Sequence, residues 1–125
     1  MGLGVDLVQV SRVRESIATF GDTYLRRVFT EGEIAYATSG DPAGVASRLA
    51  ARFAAKEATI KALDLSEVGV GWRDIEVVRS PNGAPSLVLH GAARAALRDR
   101  VLEVSLSHEA DYATAVVLSK RREES

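Results

Sequence analysis

A few charged side chains interrupt apolar patterns in this sequence, and they set the chemical question. Asp6 lies inside the apolar run from Leu3 to Val10, where a carboxylate is unfavourable unless a cation or hydrogen-bond donors receive it. The alternative is a strand-end or edge position. Glu57 and Lys61 are one four-residue step apart in a helical pattern and therefore share a face. Such a pair is either a solvated helix ion pair worth roughly 0.2–0.5 kcal/mol, or a metal carboxylate with a phosphate-binding lysine beside it. Lys56 falls at a helical angle between Leu49 and Leu63, and snorkelling of its stem along apolar surface is the expectation there. Asp6 and Glu57 together could supply the two carboxylates by which Mg²⁺ is commonly held, with substrate phosphate oxygens and water completing the shell. His108, in Ser105-Leu106-Ser107-His108-Glu109, is either a loop histidine or a hydrogen-bonding group at a phosphate site.

The elements that must position these residues follow from periodicity. Leu3 to Val10 reads as a strand rich in branched residues. Ser11 starts a helix with Val13, Ile17 and Phe20 at helical spacing, which Gly21 and Asp22 end. A short helix is expected over Thr23 to Val28, and Thr30 with Glu33 forms a capping box for the next helix. After the loop Ser39-Gly40-Asp41-Pro42, the alanine-rich stretch Ala43 to Leu63 gives the longest helix, with Leu49, Phe53, Ile60 and Leu63 as its apolar stripe. Asp74 to Arg79 and Ser86 to His90 read as a hairpin closed by Ser80-Pro81-Asn82-Gly83-Ala84-Pro85. A helix over Ala92 to Arg98 precedes strands over Leu102 to Leu106 and Tyr112 to Leu118. Helices and strands do not alternate strictly, so the expected class is α+β: a small antiparallel sheet packed with one long and several short helices. One domain over residues 1–119 and a charged, fraying tail over 120–125 are expected.

Composition narrows the chemistry. Cysteine is absent from the 125 residues, which removes disulfides, thiolate zinc sites and a cysteine nucleophile. Sixteen basic residues against seventeen acidic ones leave no global field toward nucleic acid or an anionic membrane, so any anionic partner must be met by a local basic patch. No stretch approaches a membrane span, and the N-terminal run has no basic leader, so a cytoplasmic location is expected. Gly2 and Gly4 lack the third glycine of a dinucleotide fingerprint, and no Walker loop, HExxH helix or GxSxG elbow occurs. A domain this small has a thin stability margin, for which self-association would be a natural supplement.

Three blocks carry a resemblance: Gly4-Val5-Asp6-Leu7 with Arg12, the run RFAAKEATIKAL from Arg52 to Leu63, and VSLSHEADYATAVV from Val104 to Val117. In this order they resemble the holo-acyl-carrier-protein synthase family, small single-domain 4'-phosphopantetheinyl transferases. The resemblance implies Mg²⁺-dependent transfer of phosphopantetheine from coenzyme A to a serine of an apo acyl carrier protein, with release of 3',5'-adenosine bisphosphate. It implies that Asp6 and Glu57 hold the metal with the pyrophosphate and that Lys61 contacts the phosphates; Glu57, acting directly or through a metal-bound water, is the candidate for receiving the serine proton. Arg48, Arg52, Asn82, Gly83, Pro85 and His108 would hold the adenosine bisphosphate part of coenzyme A. Arg12, Arg14, Arg26 and Arg27 would form the basic patch for the acidic carrier, and a homotrimer with sites between subunits is implied. The residues alone leave two rivals open: a Mg²⁺-dependent hydrolase of a coenzyme A or nucleotide pyrophosphate, and a non-catalytic carrier-binding module. Which carrier is served, in fatty-acid, polyketide or peptide synthesis, is not encoded in these blocks.

Overall fold

The computed structural model describes residues 1–124. Five strands and five α-helices follow in the order β1 (Gly2–Gln9), α1 (Val10–Phe20), α2 (Asp22–Val28), α3 (Glu31–Thr38), α4 (Val45–Leu63), β2 (Ile75–Arg79), β3 (Pro85–Leu89), α5 (Gly91–Leu97), β4 (Arg100–Glu109) and β5 (Tyr112–Arg121). The class is α+β with antiparallel sheets, as expected. Strands β1, β5 and β4 form a three-stranded sheet with β5 central, and β2 and β3 form a separate hairpin.

The long helix α4 organises the molecule. It packs on β1 and β5 with one side and on α1, α3 and β2 with others. Its buried surface is made of small residues, Ala50, Ala54, Ala55, Ala58 and Ala62, more than of the expected large-residue stripe: Leu49 is buried, but Phe53, Ile60 and Leu63 are only half-buried. Alanine costs no side-chain entropy in a helix and lets neighbouring backbone come close. Period-2 alternation along β1 turns Gly2, Gly4, Asp6 and Val8 toward α4 and leaves Leu3, Val5 and Leu7 exposed.

Gly4 is the residue that permits this contact. A Cβ built there would lie 1.9 Å from the carbonyl oxygen of Ala58, and one on Gly2 would lie 2.0 Å from that of Ala62. Only glycine allows the strand and the helix backbones to meet at that distance.

Lys56 does not snorkel. It is fully buried, its Nζ donates to Glu33 Oε1 at 2.7 Å, to the Trp72 carbonyl at 3.0 Å and to the Ile75 carbonyl, and it faces the Phe29 ring. Burial pushes the pKa of this ammonium down, against the pull of Glu33. Glu33 is also the capping-box residue: Oε1 accepts from Thr30 N, and Oε2 accepts from Val77 N at 2.9 Å. One carboxylate thus closes α3, neutralises α4 and holds β2.

Two further differences concern the C-terminal half. Ser107, His108 and Glu109 continue β4 instead of forming a loop, and the turn shrinks to Ala110 and Asp111. Strand β5 runs on through Lys120 and Arg121, opposite Val101 and Arg100, into the stretch expected to fray. Ladder pairing decides both: each added residue finds a partner across the sheet. Ser125 lies outside the described residues.

Candidate active site

Asp6 and Lys61 come together from opposite ends of the sequence. Lys61 Nζ lies 3.1 Å from Asp6 Oδ1 and donates to the Val5 carbonyl at 2.9 Å. The Asp6 backbone is fixed from its other side by Thr114, whose hydroxyl donates to the Asp6 carbonyl at 2.7 Å. Glu57, one turn before Lys61 on the same face of α4, is close enough to feel both charges. Its carboxyl pKa is raised, first by desolvation and then by Asp6, with Lys61 opposing. A cation beside the two carboxylates would oppose both causes of that shift.

The donor set suits magnesium. Among the described residues no group of three or more His, Cys, Asp or Glu side chains could hold a metal by itself. Two carboxylates from different elements are what Mg²⁺ usually takes from a protein, the remaining positions going to water and substrate phosphate oxygens.

Beside Asp6 lies a groove of about 430 Å³ with apolar walls that include Val8, Val13, Tyr24 and Phe53, and with Arg12 and Ser16 at its polar edge. Phe53 is braced by Trp72 at a centroid distance of 5.0 Å. Arg12, Arg14, Arg26 and Arg27 are all exposed on α1 and α2, which pack against each other. Helix α1 is capped from afar: Asp111, in the β4–β5 turn, accepts from Ser11 N at 2.9 Å and from Ser11 Oγ at 2.7 Å. The sequence gives no signal for that cap, because its partners are 100 residues apart.

The residues expected on the nucleotide fall into separate places in one chain. Arg52 is buried and stacks on Tyr36, with its Cζ 4.2 Å from the ring centroid and its Nη1 on the Arg48 carbonyl. Burial lowers its pKa, Tyr36 opposes that shift, and Arg79 adds to it. Arg48 is committed to the loop before α4, donating to the Ala37 carbonyl and to that of Asp41 at 2.9 and 2.5 Å. Asn82 and Gly83 shape the β2–β3 turn: Asn82 Oδ1 accepts from Ala84 N, and Gly83, at φ 87°, donates to the Ser80 carbonyl. Pro85 opens β3. His108 sits at the far end of β4, about 20 Å along the strand from Leu102 at ~3.3 Å per residue, whereas the hairpin's Leu87 and Leu89 pack near Leu102. Within a single chain, then, Asp6, Glu57 and Lys61 converge, Arg52 joins the hairpin side, and His108 stands apart. Tyr36 and Arg79 were not singled out from the sequence, where nothing marks a surface tyrosine and a strand-end arginine as neighbours.

Sequence and structure comparisons agree on the class that this fold and carboxylate pair define. The family model for the 4'-phosphopantetheinyl transferase superfamily matches residues 2–117, and the chain belongs to that superfamily. Within it, the chain is a member of the holo-[acyl-carrier-protein] synthase family. It is 46% identical over 122 residues to the Koribacter versatilis holo-[acyl-carrier-protein] synthase, covering 94% of this chain and 96% of that protein. It is 39% identical to the Mycobacterium tuberculosis acyl carrier protein synthase structure, with a TM-score of 0.75 and 96% of each chain covered. The Chronobacterium ammoniagenes enzyme in complex with coenzyme A superposes with a TM-score of 0.84 at 34% identity, covering 95% of this chain and 96% of that one.

Proposed function

We propose that this protein transfers the 4'-phosphopantetheine arm of coenzyme A to a serine hydroxyl of an apo acyl carrier protein in a Mg²⁺-dependent reaction, releasing 3',5'-adenosine bisphosphate. The observation that carries this reading is the convergence of Asp6, Glu57 and Lys61 at the β1–α4 contact that Gly4 makes possible. In the transfer, the serine oxygen bonds to the pantetheine-side phosphorus, the bond from that phosphorus to the bridging oxygen breaks, and the bridging oxygen leaves with the adenosine bisphosphate. Asp6 and Glu57 would hold Mg²⁺, whose charge would offset that of the pyrophosphate. Glu57 accepts the serine proton. Lys61 holds charge on the leaving phosphate as a fixed cation.

Two further parts of the reading rest on the surface. Arg12, at the edge of the groove beside Asp6, and Arg14, Arg26 and Arg27 meet the acidic carrier. The open face of the three-stranded sheet presents Leu3, Val5, Leu7, Tyr112 and Val116, exposed by 67, 55, 65, 48 and 41% respectively. A patch of this kind supports self-association, in the proposed reading as a homotrimer in which His108 of one subunit completes a nucleotide site that one chain leaves divided. Among the described residues no helix is long and apolar enough to cross a membrane; a cytoplasmic location is part of the proposed reading by analogy with the family.

Intact mass spectrometry of an apo acyl carrier protein incubated with the protein, coenzyme A and Mg²⁺ tests the reaction. The carrier should gain one phosphopantetheine, and both a chelator and the Glu57→Gln substitution should abolish the gain. Coenzyme A cleavage without carrier modification would replace the transferase by a hydrolase.

A further inference from the structure

We propose that Arg79 is a specificity-determining residue that, with Arg52, cradles the ribose phosphate of coenzyme A against the Tyr36 ring. The inference rests on the transferase reading for the identity of the nucleotide and on the following geometry for the site. The Arg79 guanidinium lies 5.2 Å from the Tyr36 centroid, on the same ring that carries Arg52 at 4.2 Å. Two guanidinium groups therefore share one aromatic partner. Neither has a carboxylate within ion-pair distance among the described residues. Arg52, only 2% exposed, leaves its Nε without any hydrogen-bond partner.

Burying a cation beside another cation is unfavourable, and an aromatic face offsets only part of that. An anion at this place would offset the rest. The two arginines line a cavity of about 140 Å³ with Tyr36 and Glu76, the volume of a few water molecules at about 30 Å³ each and the scale of a phosphate group. Glu76 is no competitor for the guanidinium groups, since Thr30 Oγ1 occupies its Oε2 at 2.7 Å and His90 Nε2 its Oε1 at 2.9 Å.

The cradle adjoins the loop that Asn82 and Gly83 shape, because Arg79 Nη1 donates to the Gly83 carbonyl at 2.6 Å. Of the anions on coenzyme A, the pyrophosphate belongs with Asp6, Glu57 and Lys61, so the charge left for a second cationic site is the ribose 3'-phosphate. The loop from Ser39 to Ala46 contains no lysine or arginine, and Arg48 is occupied by two carbonyls. Within one chain, Arg52 on α4 and Arg79 on β2 are the cations that line the cavity.

Calorimetric titration of the full chain with 3',5'-adenosine bisphosphate and with adenosine 5'-monophosphate tests the cradle without any transfer step. The wild type should prefer the bisphosphate, and Arg79→Gln should reduce that preference about tenfold, the worth of one charge-assisted hydrogen bond. Arg79→Lys, which keeps the charge, should retain part of it. In turnover, the KM ratio of 3'-dephospho-coenzyme A to coenzyme A should shrink by a similar factor in Arg79→Gln. Equal weakening of both nucleotides would reduce Arg79 to a prop for the Gly83 turn, and an unchanged preference would remove it from the site; either result overturns the proposal. A wild type that prefers the bisphosphate but never modifies a carrier would keep the cradle and sink the transferase reading instead.

Discussion

Glu57 is tuned by its two charged neighbours in opposite directions. Desolvation and Asp6 raise its pKa, and Lys61 lowers it. In the metal-free protein Asp6→Asn should therefore move the Glu57 titration midpoint down, and Lys61→Met should move it up, as followed by carboxyl-carbon NMR. Midpoints that stay fixed in both variants would mean that the three groups are not one electrostatic unit. The sign for stability follows from the same shift. A carboxyl whose folded pKa exceeds its unfolded value favours folding when protonated and opposes it when ionised. Glu57 thus weakens the metal-free fold at neutral pH, and Glu57→Gln should leave melting unchanged or raise stability by no more than about 1 kcal/mol after solvent screening is discounted. The gain should vanish as the pH falls through the folded pKa. Loss of transfer in Glu57→Gln without loss of stability would mark Glu57 as retained for chemistry.

On the scale of elements, α4 divides its charges into two four-residue stripes. Arg48, Arg52 and Lys56 run along the side that meets α3 and β2, and Glu57 and Lys61 along the side that meets β1. Lys56→Met would leave Glu33 buried without its cation and should destabilise the protein by about 3–5 kcal/mol. Adding Glu33→Gln should recover part of that loss, so that denaturant unfolding of the single and double variants gives a coupling energy well above zero. Additive losses would sink the account of a linked pair. The stripes also mark where the sequence was legible. Every element was visible from periodicity and turn chemistry, and the Thr30–Glu33 capping box was readable from its spacing. The second use of Glu33 was not, because a capping pattern is local and its Lys56 partner is 23 residues away. Asp6 stood out in the sequence as a carboxylate in an apolar strand and Glu57 only by its spacing to Lys61, whereas the reason β1 can approach α4 lay in Gly2 and Gly4, whose missing side chains gain meaning only against the Ala58 and Ala62 carbonyls. His108 was misplaced to a loop because polar Ser-His-Glu reads as a break until the ladder opposite Tyr112, Ala113 and Thr114 is seen.

For the whole molecule the decisive feature is the open sheet face. Antiparallel sheets commonly bury one face and solvate the other, with polar residues outward. Here β1 turns Leu3, Val5 and Leu7 outward, and register pairs Leu3 with Leu118 and Val5 with Val116, so the apolar residues are contiguous across two strands. Polar residues line that face along β4, where Glu103, Ser105 and Ser107 lie opposite Leu118, Val116 and Thr114. The same β1 residues alternate with Gly4 and Asp6, so the strand that carries Asp6 inward carries the apolar patch outward. Val5→Glu places a charge at the centre of that surface without touching the α4 contact. Sedimentation should give a trimer for the wild type and, for this variant, a monomer with native circular dichroism. If the nucleotide site needs His108 from a second chain, transfer should fall in step with the loss of trimer and recover at higher protein concentration. A monomeric wild type, or a monomeric Val5→Glu variant with full turnover, would show that one chain suffices and that the exposed face serves something other than the active site.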